Sequence, residues 1–153
     1  MIDENTCELV ITADGTIKNI VFVEELVFSA PKIDGWKFTA LKPALDLNDA
    51  SIGMAGYEFN SEKLSFYPND RPSYPDEIDL TVVYADYSED AKHAVINGCY
   101  IFLDNFLGEL EMVDTIDNIS FKGKDDAEKE LIPISKLKDY LRWRQKEFVE
   151  RYE

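Results

Sequence analysis

Residues 88–110 constrain the fold more than any other stretch, because they read as one long amphipathic helix with both ends marked. Ser88 stands as its N-cap, and Glu89 and Asp90 lie where the positive end of the helix dipole favours carboxylates. Gly108 fits the left-handed position just past the end. At 100° per residue, Ala91, Val95, Cys99, Phe102 and Phe106 share one face, flanked by Ile96, Leu103 and Leu107. More than a third of the circumference is then apolar, and the remaining chain has to supply a surface to cover it.

What the remainder offers is a mixture of strands and helices. Cys7 to Ala13 contains the run Leu9, Val10, Ile11, suited to a central strand covered on both faces. Asp14 and Gly15 turn the chain, and Thr16 caps a helix from Ile17 to about Ala30, stopped by Pro31. Here Lys18, Glu25 and Ser29 cluster on the wheel, with Ile20, Val21, Val23, Val27 and Phe28 away from them, whereas Phe22 falls among the polar positions. The β-prone runs Val21 to Val23 and Leu26 to Phe28 keep a strand open as the alternative. After Gly35, the alternation of Trp36, Phe38 and Ala40 with Lys37 and Thr39 predicts a half-buried strand, followed by a polar loop over 43–51.

A hairpin is predicted next, with Tyr57 and Phe59 on one arm, a turn at 60–63, and Leu64 and Phe66 on the other. Three prolines within 68–75 make a stiff connection, and Ile78, Leu80, Val82 and Tyr84 alternate into a further strand. Leu110 to Phe121 reads as strand material broken near Asp114, and 122–130 as a charged loop. Pro133 and Ser135 open a last helix with an apolar stripe of Leu137, Leu141, Phe148 and Tyr152, Tyr140 beside it and Trp143 opposite. The 153 residues show no repeat or long linker, so one α+β domain is expected. Its architecture is a two-layer sandwich: a mixed, mostly antiparallel sheet with helices packed on one face, open to a ferredoxin-like elaboration.

Charge narrows the partners. The net charge is −15, and it belongs to the body: through Phe121 there are 23 acidic and 7 basic residues, whereas from Lys122 onward 8 acidic face 9 basic. Such a surface repels nucleic acid and anionic membranes, since both are bound by Lys and Arg displacing counterions, so neither is an expected partner. A basic protein is attracted by the same field, in particular by Asp70, Asp76, Glu77, Asp79, Asp86, Glu89 and Asp90, which face Arg71 alone. The N-terminal stretch lacks the basic region and apolar run of a secretory signal, so a cytoplasmic location and reduced Cys7 and Cys99 are expected.

No residue set spells out a named reaction. Asp14 and Gly15 lack the Gly-Lys-Ser/Thr of a phosphate loop, so no nucleotide and no other cofactor is assigned. His93 is the only histidine, and Asp46, Asn48 and Asp49 fall short of a calcium loop, so no metal site is assigned either. The one polar stripe is His93, Asn97, Tyr100 and Asp104, which spacings of four, three and four put along one side of the long helix. A solvated helix edge is its simpler reading. Trp143 and Phe22, large apolar groups on polar faces, and Arg71 in the proline-rich loop are the candidate partner contacts. Asp104 and Glu109, near a helix end where the dipole disfavours carboxylates, call for specific partners, with backbone amides of the following strand as the predicted ones.

Asp104, Leu107, Gly108 and Glu109 form a structural motif that resembles the helix-ending pattern of a family of small uncharacterised bacterial domains. The stretch Leu9 to Gly15, with Ala30 to Lys32 and Gly35 to Phe38, is similar to the same group. More distantly, the acidity and the order of elements resemble the type B regulator of ribonuclease E activity, an inhibitor that works by contact. The resemblances imply no catalytic residues. Together with the missing catalytic set, they point to a non-enzymatic binding or regulatory module acting by protein–protein contact, of inhibitor or immunity type. The alternative is a small carboxylate- and His93-dependent enzyme or a small-ligand-binding protein.

Overall fold

Two hydrophobic centres organise the chain, seen in a computed structural model that describes residues 3–152, with side chains described through residue 150. The elements combine helices and small sheets in the expected α+β class. In chain order they are β1 (Cys7–Ile11), α1 (Ile17–Phe28), β2 (Trp36–Ala40), β3 (Ile52–Met54), β4 (Tyr57–Phe59), β5 (Leu64–Asn69) and β6 (Asp79–Tyr84). Then come α2 (Lys92–Leu107), α3 (Glu109–Thr115), β7 (Asn118–Gly123), β8 (Ile132–Pro133) and α4 (Leu137–Tyr152).

The larger centre lies on one face of a four-stranded sheet ordered β7-β6-β5-β8, in which β6 and β7 are parallel and the other pairs antiparallel. Period-2 alternation puts Leu64, Phe66, Leu80, Val82 and Tyr84 on that face. Helix α2 covers them with Val95, Cys99, Phe102, Leu103 and Phe106, the face anticipated from the helical wheel, and α4 adds Leu137 and Leu141. Gly98 lets α2 come this close: a Cβ there would stand 2.1 Å from Phe59 Cζ. Phe59 in turn stacks on Tyr84 at 4.7 Å, and the Tyr84 hydroxyl donates to Glu58 O at 2.6 Å. On the opposite face Tyr67, Thr81 and Val83 are buried, and the Glu128 N–H donates to the Tyr67 hydroxyl at 3.4 Å.

The smaller centre belongs to a βαβ unit. β1 and β2 pair in parallel, from Cys7 with Trp36 to Ile11 with Ala40, and α1 crosses between them. Ala13, Val23 and Leu41 are its buried residues, with Ile11, Ile20 and Ala40 packed around them. The other face of this two-stranded sheet carries Glu8, Lys37 and Thr39 beside Val10, and there the Thr39 hydroxyl donates to Glu8 Oε1 at 2.5 Å.

Several expectations need correction. β1 is not a central strand covered on both faces: it has one sheet neighbour and one covering helix, and Leu9 stays 44% exposed. The hairpin lies one element earlier. β4 pairs with β3 through Ala55 and Gly56, both at positive φ (54° and 82°) as a tight two-residue turn requires, while β5 joins the large sheet. The turn over 60–63 exists, held by Asn60 Oδ1 accepting from the Glu62 and Lys63 amides, but it links two different sheets. The stretch read as broken strand from Leu110 is helical to Thr115, because Met112 and Ile116 face the core at a spacing of four and Glu109 and Glu111 suit a first turn. Ser88 precedes a 3-10 turn over Glu89–Ala91, after which α2 proper begins. The predicted stripe of the last helix holds at Leu137 and Leu141, Phe148 is 46% exposed, and the side chain of Tyr152 lies outside those described.

Candidate functional site

The turn after β1 and the chain end of β2 meet α2 and α3 across a cleft of about 650 Å³. Asp14, Gly15 and Lys42 line it from the βαβ unit, and Asn97, Tyr100 and Asp104 line it from α2. It opens at the C-terminal ends of two parallel strands, where loops free of ladder bonds are the usual ligand-facing elements of α/β units. Three of the four stripe residues are therefore brought together, as their spacing on α2 requires. His93 lies further toward the helix start, exposed, and is not among the lining residues.

Glu109, the second carboxylate of the helix-end motif, is 1% exposed. Its Oε1 accepts from the Thr12 hydroxyl (2.5 Å) and the Ala13 amide (2.9 Å), and its Oε2 accepts from the Lys42 amide (3.0 Å). Its own N–H donates to Lys42 O at 2.9 Å. Burial pushes the carboxyl up, but the Thr12 hydroxyl and the Lys42, Ala13 and Gly15 amides more than offset it, leaving the pKa below the ordinary value. The chain's own carboxylate thus fills the turn before α1, the place where a phosphate loop would hold its anion. The amide partners expected for Glu109 are present, but they fix the ends of β1 and β2, not the strand that follows.

Gly108 makes this reach possible. Its φ of 86° with ψ of 148° lies in territory open to glycine alone, and a Cβ would meet Ala44 N at 3.0 Å. Asp104 is half-buried at the cleft wall. Burial raises its pKa, the Lys42 ammonium pulls it down, and Glu109 and Asp14 push it further up, with a net rise. Burial and Asp104 together raise the Tyr100 hydroxyl, whose ring meets Phe121 edge-on at 4.9 Å. Cys99 faces the core, and burial pushes its thiol up to about 12, so it offers no thiolate. Among the described residues no group of three or more His, Cys, Asp or Glu is placed to hold a metal ion.

The candidate contact residues fall in two places. Arg71 is engaged within the proline-rich loop, 2.9 Å from Glu77 and 5.1 Å over the Tyr74 ring. Trp143 is 53% exposed and packs beside Tyr140 at 6.1 Å, facing a groove of about 390 Å³ shared with that loop. Phe22 is 66% exposed on α1, and it is not isolated: Ile17, Val21, Leu26 and Phe28 on the same helix are 58–92% exposed. On the helical wheel Val21 and Phe28 lie away from the polar cluster of Lys18, Glu25 and Ser29, yet both are exposed. The available signal was a helix apolar nearly all round its circumference, a pattern that demands a cover on more than one side.

Strand β6, from Asp79 to Tyr84, lies in the chain between the acidic residues at 70–77 and those at 86–90. Within them Glu77 is paired with Arg71, and Asp86 with Lys63 at 2.8 Å. No helix among the described residues is long and apolar enough to cross a membrane. Protein-family models, curated proteins and solved structures were all compared with the chain, and none matches it.

Proposed function

We propose that the protein is a binding or regulatory module that acts by protein–protein contact, with the outer face of α1 as the contact surface. One observation carries this reading: five large apolar side chains of a single helix, Ile17, Val21, Phe22, Leu26 and Phe28, are 58–92% exposed. Large apolar side chains left in water on one helix cost free energy, and groups of them mark interaction sites on soluble proteins. The net charge of −15 supports the same reading, because a strongly charged body keeps a protein with an apolar face from precipitating. The resemblance to a contact inhibitor agrees with it in kind. The cleft at Asp104 and Lys42 favours small-ligand binding as the second reading, since its volume of about 650 Å³ falls within the range of ligand pockets.

A photo-reactive phenylalanine analogue at position 22, carried by the full chain in its native cell, tests the contact reading. The expected outcome is a cross-link to a protein, with none from the same group at Lys37 on the polar face of β2. Equal labelling from both positions, or none from position 22, would sink it.

A further inference from the structure

The exposed surface of α1 is self-complementary, and that property singles out its occupant. Half-buried Ile20 and Val27 and buried Val23 turn toward the strands, so Lys18, Val21, Phe22 and Glu25 are centred on the opposite side at 100° per residue. Along this strip the order is cation, apolar, apolar, anion. A two-fold axis through the midpoint of Val21 and Phe22 runs a second α1 antiparallel to the first. Val21 and Phe22 then meet their own copies at the axis, Ile17 comes beside the second copy's Phe28, and Lys18 comes level with the second copy's Glu25 at both ends. The match uses exposed residues against exposed residues throughout. Among the described residues neither Lys18 nor Glu25 has an ion-pair partner within its own chain.

We infer that the partner of this face is a second copy of the chain, docked by antiparallel pairing of the two α1 helices about a two-fold axis. The inference rests on the contact reading above. A two-fold interface has to be complementary to itself, a condition that an arbitrary apolar patch shaped for a different protein has no reason to meet. A specific interface takes roughly 800 Å² from each partner, so the pairing buries Lys18 and Glu25 together with the exposed apolar side chains of the helix. The strip is also neutral within a chain of net charge −15, so pairing brings together the part of the surface where like-charge repulsion is least.

Sedimentation of the full chain over a range of concentrations reads the result. Wild type should reach twice the 17.6 kDa chain mass. Lys18→Glu and Glu25→Lys should each weaken pairing at least about tenfold, because each sets like charges opposite each other twice in the symmetric dimer. An equimolar mixture of the two variants should restore a dimer, since every charge in the mixed pair faces its opposite, and the doubly exchanged chain should dimerise alone. Both residues are exposed, so circular dichroism should remain that of wild type. A wild type that stays monomeric at about 100 μM, where even weak specific pairs associate, overturns the inference. So does a mixture no better than its components, or a dimer untouched by Phe22→Ser. A monomer whose position 22 still cross-links to a different protein would overturn the second copy as occupant and leave the contact reading intact, whereas a monomer without any cross-link would remove both.

Discussion

The Glu109 carboxylate bridges the two halves of this protein. Glu109 receives three hydrogen bonds from the ends of β1 and β2, and its pKa is held below the ordinary value. Replacing it by Ala leaves these donors facing a void, at about 1–3 kcal/mol for each buried group left unpaired, so Glu109→Ala should lower the melting temperature by on the order of 10 °C. A folded-state pKa below the unfolded value means that the ionised carboxyl contributes stability above about pH 4.3 and that this contribution disappears as pH falls through the folded pKa. The stability gap between wild type and Glu109→Gln should accordingly be full at pH 7 and narrow below pH 4, as read from denaturant melts. Asp104 has the opposite sign: its raised pKa makes the ionised form a cost that grows as pH rises through the carboxylate range. The sequence pointed to both residues through their place at a helix end, but the identity of Glu109's partners depends on a contact 97 residues away, which no local pattern carries.

At the scale of elements, α2 was legible because both signals on which it rests, end chemistry and a 3.6-residue period, are local. Gly98 shows the limit. As a mid-helix glycine it reads as a weak point worth about 1 kcal/mol against Ala, yet Phe59 occupies the space where a Cβ would stand. Gly98→Ala should therefore destabilise by about 1–3 kcal/mol or more despite the better helix propensity, and Phe59→Leu in the same chain should recover part of the loss in a thermal melt. A gain in melting temperature from the single change would contradict this packing account. α3 is hidden in the sequence because seven residues give fewer than two turns of period, too few for the repeat at Met112 and Ile116 to stand out. The place of the hairpin is obscured by its turn chemistry: Asn60 to Lys63 has good turn residues, whereas Ala55 at positive φ is a choice that sequence statistics disfavour. The cleft was half legible. Asn97, Tyr100 and Asp104 lie on one helix at regular spacing, but Lys42 and Asp14 arrive through the parallel pairing of β1 with β2, a tertiary fact.

At the scale of the whole molecule, two cores of very different size share one chain. Among the described residues nineteen buried ones form the larger core and three the smaller, so the βαβ unit has far less burial to offset its chain entropy. Amide exchange in the isolated chain should show β1, α1 and β2 opening first, at a free energy well below that of β5 and β6. Glu109→Ala should speed exchange in this unit more than in the large sheet, and uniform protection across both units would contradict the division. A cover over α1 would raise the stability of the smaller unit by mass action, which is how contact at one end of the molecule can be felt at the cleft it borders.

The placement of the two tryptophans gives this division an optical consequence. Trp36 stacks on Phe38 at 6.5 Å in the βαβ unit, and Trp143 lies against Tyr140 on α4, so each half carries one indole. Indole emission shifts as water gains access to the ring, and 48% and 53% exposure leave both rings room to change in either direction. Chains retaining only Trp36 or only Trp143 are thus separate fluorescent reporters of the two halves, and comparing their titrations distinguishes an event confined to the small unit from one that spreads through the body.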